Sequence, residues 1–359
     1  MAEKKIKNKK NMKLAILSIT AGGKRLAEKL AEKLPDATYL PGKLKTSKKT
    51  KKTKKTSEIV AENWHHFDGF IFIMAAGIVV RAIAPLLRHK HRDPCVVVMD
   101  EKGQHVISLL SGHIGGGNEL AVRLAAMTGG EPVITTASDT LGLLPLDLWA
   151  KENNLVAENQ KKLTKASTKL VNRKKLTLYT DLETGSLPEE FVLVTDPKAA
   201  DIIVSHQLFP ENRGCIFRPR NLVVGTGCNR GTPAIEFEES LAELLKDNRL
   251  SRLSIRNLAS IDKKNDEAGL LAFARENGWP IDFFTKDEIN KLNNTENNLD
   301  ISSAALKAVG AIGVAEPTAL LSGRTQILLC RKRKWKNITM AIALVPSTLS
   351  ARVRDQNSI

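Results

Sequence analysis

The chain has 359 residues, 42% of them hydrophobic and 4% aromatic, enough apolar material for cores in two or three domains. Its formal charge of +16 invites a nucleic-acid reading, but residues 1–56 hold 18 Lys or Arg against 4 Asp or Glu, while the other 303 hold 37 against 35. The excess is local, a Lys-rich leader and the run KLKTSKKTKKTKKTSE at 43–58, which argues against a basic binding face spread over the folded part. A run that repels itself and lacks apolar groups is expected to be a disordered surface insert.

In chain order, KKIKNKKNMKLAILSITAGG imitates a secretory leader, yet its apolar part, Leu14–Ile19, is too short for one and reads as a buried strand. Ala21-Gly22-Gly23 turns the chain into a helix with Leu26, Leu30 and Leu34 on one face. Phe67–Met74 reads as a second strand and Ile78–Leu87 as a short helix. The apolar run from Gly69 to Val80 stops at Arg81, well short of the ~20 residues a membrane span needs. Cys95–Met99 and Val106–Leu110 flank Asp100-Glu101-Lys102-Gly103, a hairpin turn. A glycine cluster at 112–117 precedes a helix at Glu119–Thr128, and Pro132–Thr135 closes the first domain. Residues 146–220 are more polar, with short apolar pieces at Leu176–Tyr179, Phe191–Thr195 and Ile202–Ser205, and read as a linker or small α/β subdomain.

A fresh start follows Asn221, where LVVGTG is a strand into a glycine turn. Thr232 as N-cap and Pro233 as first residue predict a helix to about Lys246. Alternating segments continue to a last strand at Thr339–Val345, with a tail from 348. The expected class is α/β: two domains, 1–145 and 221–347, with mainly parallel or mixed sheets joined by a smaller middle region. Cys95, Cys215, Cys228 and Cys330 are widely spaced, so neither a zinc site nor a disulfide framework is expected, and a soluble cytoplasmic protein fits.

The chemistry-bearing stretches each admit two readings. SLLSGHIGGGNELA at 108–121 runs a strand through four glycines into a helix, allowing close ligand approach and anion contact at the helix start, or a tight structural turn. Its order is not that of a dinucleotide fingerprint. His113 in this loop is an acid–base candidate or a histidine bonded to backbone. Arg81, set among apolar residues, needs a carboxylate, from a ligand or from Asp93. Thr135, Thr136 and Asp139 end a strand in a polar turn suited to ligand contacts or to capping. GTGCNRGTP at 225–233 repeats the pattern: Arg230 is a candidate anion contact, and Cys228 is discounted as a nucleophile because no histidine lies nearby in sequence. Glu316 is either buried and paired or caps the helix begun by Pro317.

Taken together, AAGIVVRAIAPLL, HKHRDPCVVVMDEKG, ISLLSGHIGGGNELA and VITTASD resemble the N-terminal domain of the CbiG family of cobalamin biosynthesis. VVGTGCNRGTP, ASIDKKNDEAGLLAFA and VGAIGVAEPTAL resemble its C-terminal domain, which is also found alone as CobE. The resemblance covers 58–141 and 221–345; the Lys/Thr insert and Asn229, at a position expected to be basic, depart from it. It implies a carbon–carbon bond hydrolase that opens the ring-A δ-lactone of cobalt-precorrin-5A and releases acetaldehyde, giving cobalt-precorrin-5B. It implies no cofactor of the protein's own, because the cobalt is carried by the substrate. Beyond that intermediate the expected partners are other cobalamin-pathway enzymes, with no nucleic acid and no membrane. The catalytic candidates are His113 and Asp139. Candidates for contacting a polycarboxylate macrocycle are Arg81, Ser111, Gly112, Gly115, Gly116, Asn118, Thr135, Thr136, Gly227, Arg230 and Glu316, around a cleft expected between the two α/β domains. A corrinoid-handover protein and a nucleotide-dependent transferase are the competing classes.

Overall fold

The computed structural model describes residues 12–41, 54–89, 92–209, 214–292, 299 and 301–351. The leader and most of the Lys-rich insert lie outside the described residues, whereas Lys54–Ser57, read as its end, are ordered into the start of a helix. The chain divides into two compact units, Met1–Leu148 and Trp149–Ile359.

In the first unit β1 (Leu14–Ser18), α1 (Ala21–Lys33), β2 (Ala37–Pro41), α2 (Thr56–Asn63), β3 (Gly69–Ile73), α3 (Ala76–Ile83) and β4 (Cys95–Met99) form a parallel α/β array. β5 (His105–Leu110), α4 (Gly117–Thr128), β6 (Glu131–Val133), α5 (Ala137–Thr140) and α6 (Leu146–Glu152) follow, and the sheet order is β2-β1-β3-β4-β5-β6. Alternation along the strands fills both faces. Ile16, Ile71, Val97 and Met99 share one core with Leu30 of α1 and Leu124 of α4. Leu17, Phe70, Phe72 and Val98 share the other with Val60, Trp64 and Val79. Burial on two faces explains the near-continuous apolar runs of these strands.

β5 runs antiparallel to β4 and parallel to β6. The hairpin turn at 100–103 therefore reverses the chain direction, and the loops that follow β5 and β6 emerge side by side at one end of the sheet. That reversal positions the candidate site.

The second unit begins with β7 (Leu155–Ala157), α7 (Gln160–Arg173), β8 (Leu176–Thr180), β9 (Glu183–Thr184), β10 (Phe191–Leu193), β11 (Ile202–Val204) and β12 (Cys215–Pro219). The middle region is thus no mere linker: it carries a five-stranded sheet ordered β10-β8-β11-β12-β7, in which only β7 is antiparallel. Its helix had no position assigned from sequence, although Leu163, Ala166 and Leu170 lie on one buried face. The remaining elements are β13 (Leu222–Cys228), α8 (Ala234–Asp247), β14 (Ile255–Ile261), α9 (Ala268–Asn277), β15 (Ile281–Phe284), α10 (Lys286–Lys291), α11 (Ser303–Val309), α12 (Ala315–Gly323), β16 (Leu328–Lys334), β17 (Ile338–Leu344) and β18 (Thr348–Leu349). β15-β14-β13-β17-β16 form a mixed sheet. β18, assigned to a tail by sequence, pairs with β9 instead.

Two local expectations change. The helix after the GTG turn has Pro233 rather than Thr232 as N-cap, because the Thr232 hydroxyl donates to the Asn229 carbonyl. The glycine at 225 is required by packing: a Cβ there would stand 1.8 Å from the Ala315 carbonyl oxygen, where α12 crosses β13. Close approach here is between backbone elements of the protein itself.

Candidate active site

The loop after β5 is folded on itself. Gly117 and Asn118 donate their backbone N–H groups to the Ser111 and Gly112 carbonyls at 3.2 and 3.0 Å, and Gly116 donates to His113 at 3.0 Å. The helix-start amides that the sequence offered to an anion are therefore engaged by the loop's own carbonyls. Gly116 adopts φ +82° and Ser111 φ +55°, a left-handed backbone in which a serine is strained. A Cβ at Gly112 would lie 2.4 Å from the Asn118 Oδ1, and one at Gly115 2.6 Å from the Ser111 carbonyl. These glycines admit the chain's own atoms.

The compact turn aims His113 at the loop after β6. Its Nε2 lies 2.6 Å from Asp139 Oδ2 and 3.2 Å from Ser138 Oγ. Asn118, buried at the start of α4, donates to Asp139 Oδ2 at 2.9 Å and to Thr136 Oγ1 at 3.4 Å. On the other side of the ring, Nδ1 faces Asp147 Oδ1 at 3.5 Å. The side chains of His113, Asp139 and Asp147 are 17, 16 and 15% exposed, so the charges are partly desolvated and still within reach of a ligand. The Asp147 carboxylate raises the His113 pKa above its ordinary 6.5; burial opposes this and Asp139 reinforces it. Both carboxylates thus favour the protonated over the neutral ring.

This shift has a stability consequence. A pKa raised on folding stabilises the protein fully below the unfolded value of about 6.5, and the contribution is lost as pH rises through the folded value. As pH rises above about 6.5, the melting temperature should decline more steeply in the wild type than in His113→Asn. Parallel curves for the two proteins would contradict the charged cluster.

The other candidates are dispersed or already engaged. Arg81 is not buried: it is exposed on α3 and donates to the Gly77 carbonyl of its own helix at 2.9 Å. Asp93, its expected partner, instead accepts the Arg88 backbone N–H at 2.9 Å. Thr135 is exposed. Arg230 is tied to Asp266 at 2.5 Å and to the Lys263 carbonyl at 2.9 Å. Glu316 is buried, accepts the Lys332 N–H at 2.9 Å and stands 3.9 Å from the Arg331 guanidinium. A Cβ at Gly227 would meet the Thr339 hydroxyl at 2.7 Å. Burial pushes the Cys228 thiol up to about 11, against a nucleophilic role. Among the described residues no group of three or more His, Cys, Asp or Glu side chains is arranged to hold a metal ion, and no helix is long and apolar enough to cross a membrane.

Sequence reasoning missed Ser138 and Asp147 as site members. Asp147 lies in PLDLWA, where an acid in the first turn of a helix is ordinary dipole chemistry, so no local signal marks it. It also falls two residues beyond the domain boundary drawn from sequence, yet inside the first compact unit.

Fold and site together define a multi-sheet α/β protein with a histidine–carboxylate cluster at the strand ends of its N-terminal sheet. Three family models match the chain in order: Cobalamin synthesis G N-terminal over 58–139, Cobalamin biosynthesis central region over 144–219 and Cobalamin synthesis G C-terminus over 222–343. The chain is 36% identical to the cobalt-precorrin-5A hydrolase of Priestia megaterium, over 78% of this chain and 79% of that protein. It is 33% identical to the cobalt-precorrin-5A hydrolase of Salmonella typhimurium, over 88% of this chain and 93% of that one. The protein CobE of Sinorhizobium sp. is 33% identical over 38% of this chain and 86% of its own length. The chain belongs to the cobalamin synthesis G (CbiG) family.

Proposed function

We propose that this protein is a cobalt-precorrin-5A hydrolase of cobalamin biosynthesis. The observation that carries the reading is its 33–36% identity, over most of both chains, to two proteins of that name. The histidine–carboxylate cluster supplies chemistry of the required kind. In the reaction, water adds to the lactone carbonyl and the ring ester C–O bond breaks, leaving a carboxylic acid and a hydroxyl. That hydroxyl then loses its proton, the adjoining C–C bond breaks with its electron pair left on the macrocycle, and acetaldehyde departs as the macrocycle carbon takes up a proton.

Each step needs a proton donor and a proton acceptor within about 3 Å of the reacting atoms. His113, whose protonated form the two carboxylates favour, suits the donor at Nε2, once a substrate oxygen shares or displaces the Asp139 contact there. Asp139, fixed by Asn118, suits the acceptor. The exposed Arg81 and Thr135 are available to contact substrate carboxylates, whereas the Ser111 hydroxyl donates to the Asp93 carbonyl and the Thr136 hydroxyl accepts from Asn118. Neither a protein-bound metal nor an organic cofactor enters this proposal; the cobalt is part of the substrate. A cytoplasmic location and contacts with other enzymes of the pathway belong to the same reading.

The test is acetaldehyde release from the purified protein supplied with cobalt-precorrin-5A under anaerobic conditions. Catalytic release in proportion to protein is expected. Tight binding without acetaldehyde would overturn the assignment in favour of a handover protein.

A further inference from the structure

We propose that Asp147 is a positioning residue for this hydrolysis: it holds the His113 ring by Nδ1 and so makes Nε2 the nitrogen that faces the reacting group. The proposal rests on the reading of His113 as the proton donor of the site. An imidazole works through one nitrogen, and the partner of the other fixes both its orientation and which nitrogen does the chemistry.

The two carboxylates that face the ring are not equivalent. Asp139 and Ser138 approach Nε2 at 2.6 and 3.2 Å, on the side where Asn118 and Thr136 also gather. Asp147 approaches Nδ1 at 3.5 Å from the opposite edge. Its Oδ1 also accepts the Leu148 backbone N–H at 2.9 Å, which pins the carboxylate to the first turn of α6. A ligand that engages Nε2 must share or displace Asp139 and Ser138, whereas Asp147 can remain in place throughout. Asp139 and Asp147 are the charged groups that act on the His113 proton, and Asp147 raises its affinity more.

Three elements meet here: the glycine loop after β5 brings His113, α5 brings Ser138 and Asp139, and α6 brings Asp147.

The experiment uses the full chain and the variants Asp147→Asn, Asp147→Glu and His113→Ala. The ring nitrogens of His113 are titrated by NMR without substrate, with His113→Ala identifying the resonance. Turnover of cobalt-precorrin-5A is then measured against pH. In Asp147→Asn we expect a lower His113 pKa, an alkaline limb of the pH–rate profile displaced to lower pH, and kcat reduced about ten-fold or more with little change in KM. Asp147→Glu should restore part of both the titration and the rate, and it serves as the test variant should Asn impair folding. An unmoved ring titration, or a loss of rate with no displacement of the profile, overturns the proposal. Wild-type turnover by His113→Ala would also overturn it, by removing the site from the hydrolysis; the substrate-free titration tells that failure apart from failure of the Asp147 contact.

Discussion

His113→Ala should lower turnover of cobalt-precorrin-5A about 10²- to 10⁴-fold while leaving substrate affinity nearly unchanged. The ring touches both Asp139 and Ser138 through the same nitrogen, so its removal takes away the proposed proton donor and the order of the site together. The fold should survive. His113 lies in a loop rather than in either core of the N-terminal unit, and Asp139 keeps its bond from Asn118. Without the ring, Asp139 and Asp147 lose the partner between them, which predicts some loosening of α5 and α6. Steady-state kinetics alongside a melting curve separate the two effects; full activity in a folded His113→Ala protein would exclude the ring from the chemistry.

The largest stability effect is expected at Arg218, whose side chain is 1% exposed. The guanidinium donates through Nε and Nη2 to Glu158 Oε2 at 2.9 and 2.7 Å, and through Nη1 to the Ser205 and Gln207 carbonyls at 2.9 and 2.5 Å. Those carbonyls lie just beyond β11, where the middle sheet meets the C-terminal region through the Gln207–Leu250 bridge and the Ser251 N–H to His206 carbonyl bond. Arg218→Ala would leave the two carbonyls short of a donor beside a new cavity, while Glu158, 39% exposed, is resolvated by water. The lost hydrogen bonds and the cavity together cost about 2–4 kcal/mol. Arg218→Lys should recover little, because an ammonium cannot present the same planar fork. Urea unfolding followed by tryptophan fluorescence reads this directly, since Trp149 packs against Phe217, the neighbour of Arg218. A midpoint equal to that of the wild type would show that the buried charge is not what joins the two regions.

Much of the site was legible locally, and the reason is topological. His113 stands in a glycine loop after one strand and Asp139 in a polar turn after another, both recognisable as strand-end positions. Their contact follows from β5 and β6 being parallel neighbours, which brings the two loops to the same end of the sheet. The pairing order of strands is a long-range property, and no spacing along the chain encodes it.

Arg81, Arg230 and Glu316 show the converse. In sequence each is a charged residue among apolar or glycine neighbours, indistinguishable in kind from His113. In the fold, Arg81 lies exposed along its own helix, Arg230 is held by Asp266, and Glu316 is buried against the backbone of β16. The glycines of the GTG turn likewise proclaimed a ligand but admit α12 and Thr339.

By itself the sequence determined the alternation of strands and helices, the α/β class and the family, because periodicity, turn residues and ordered motifs are local properties of the chain. Only the tertiary structure decided that the middle region has its own sheet, that Asp147 completes the histidine site, and which charged groups already have partners. A side chain's partner is set by contacts between residues tens of positions apart, and those exist only once the strands have chosen their neighbours.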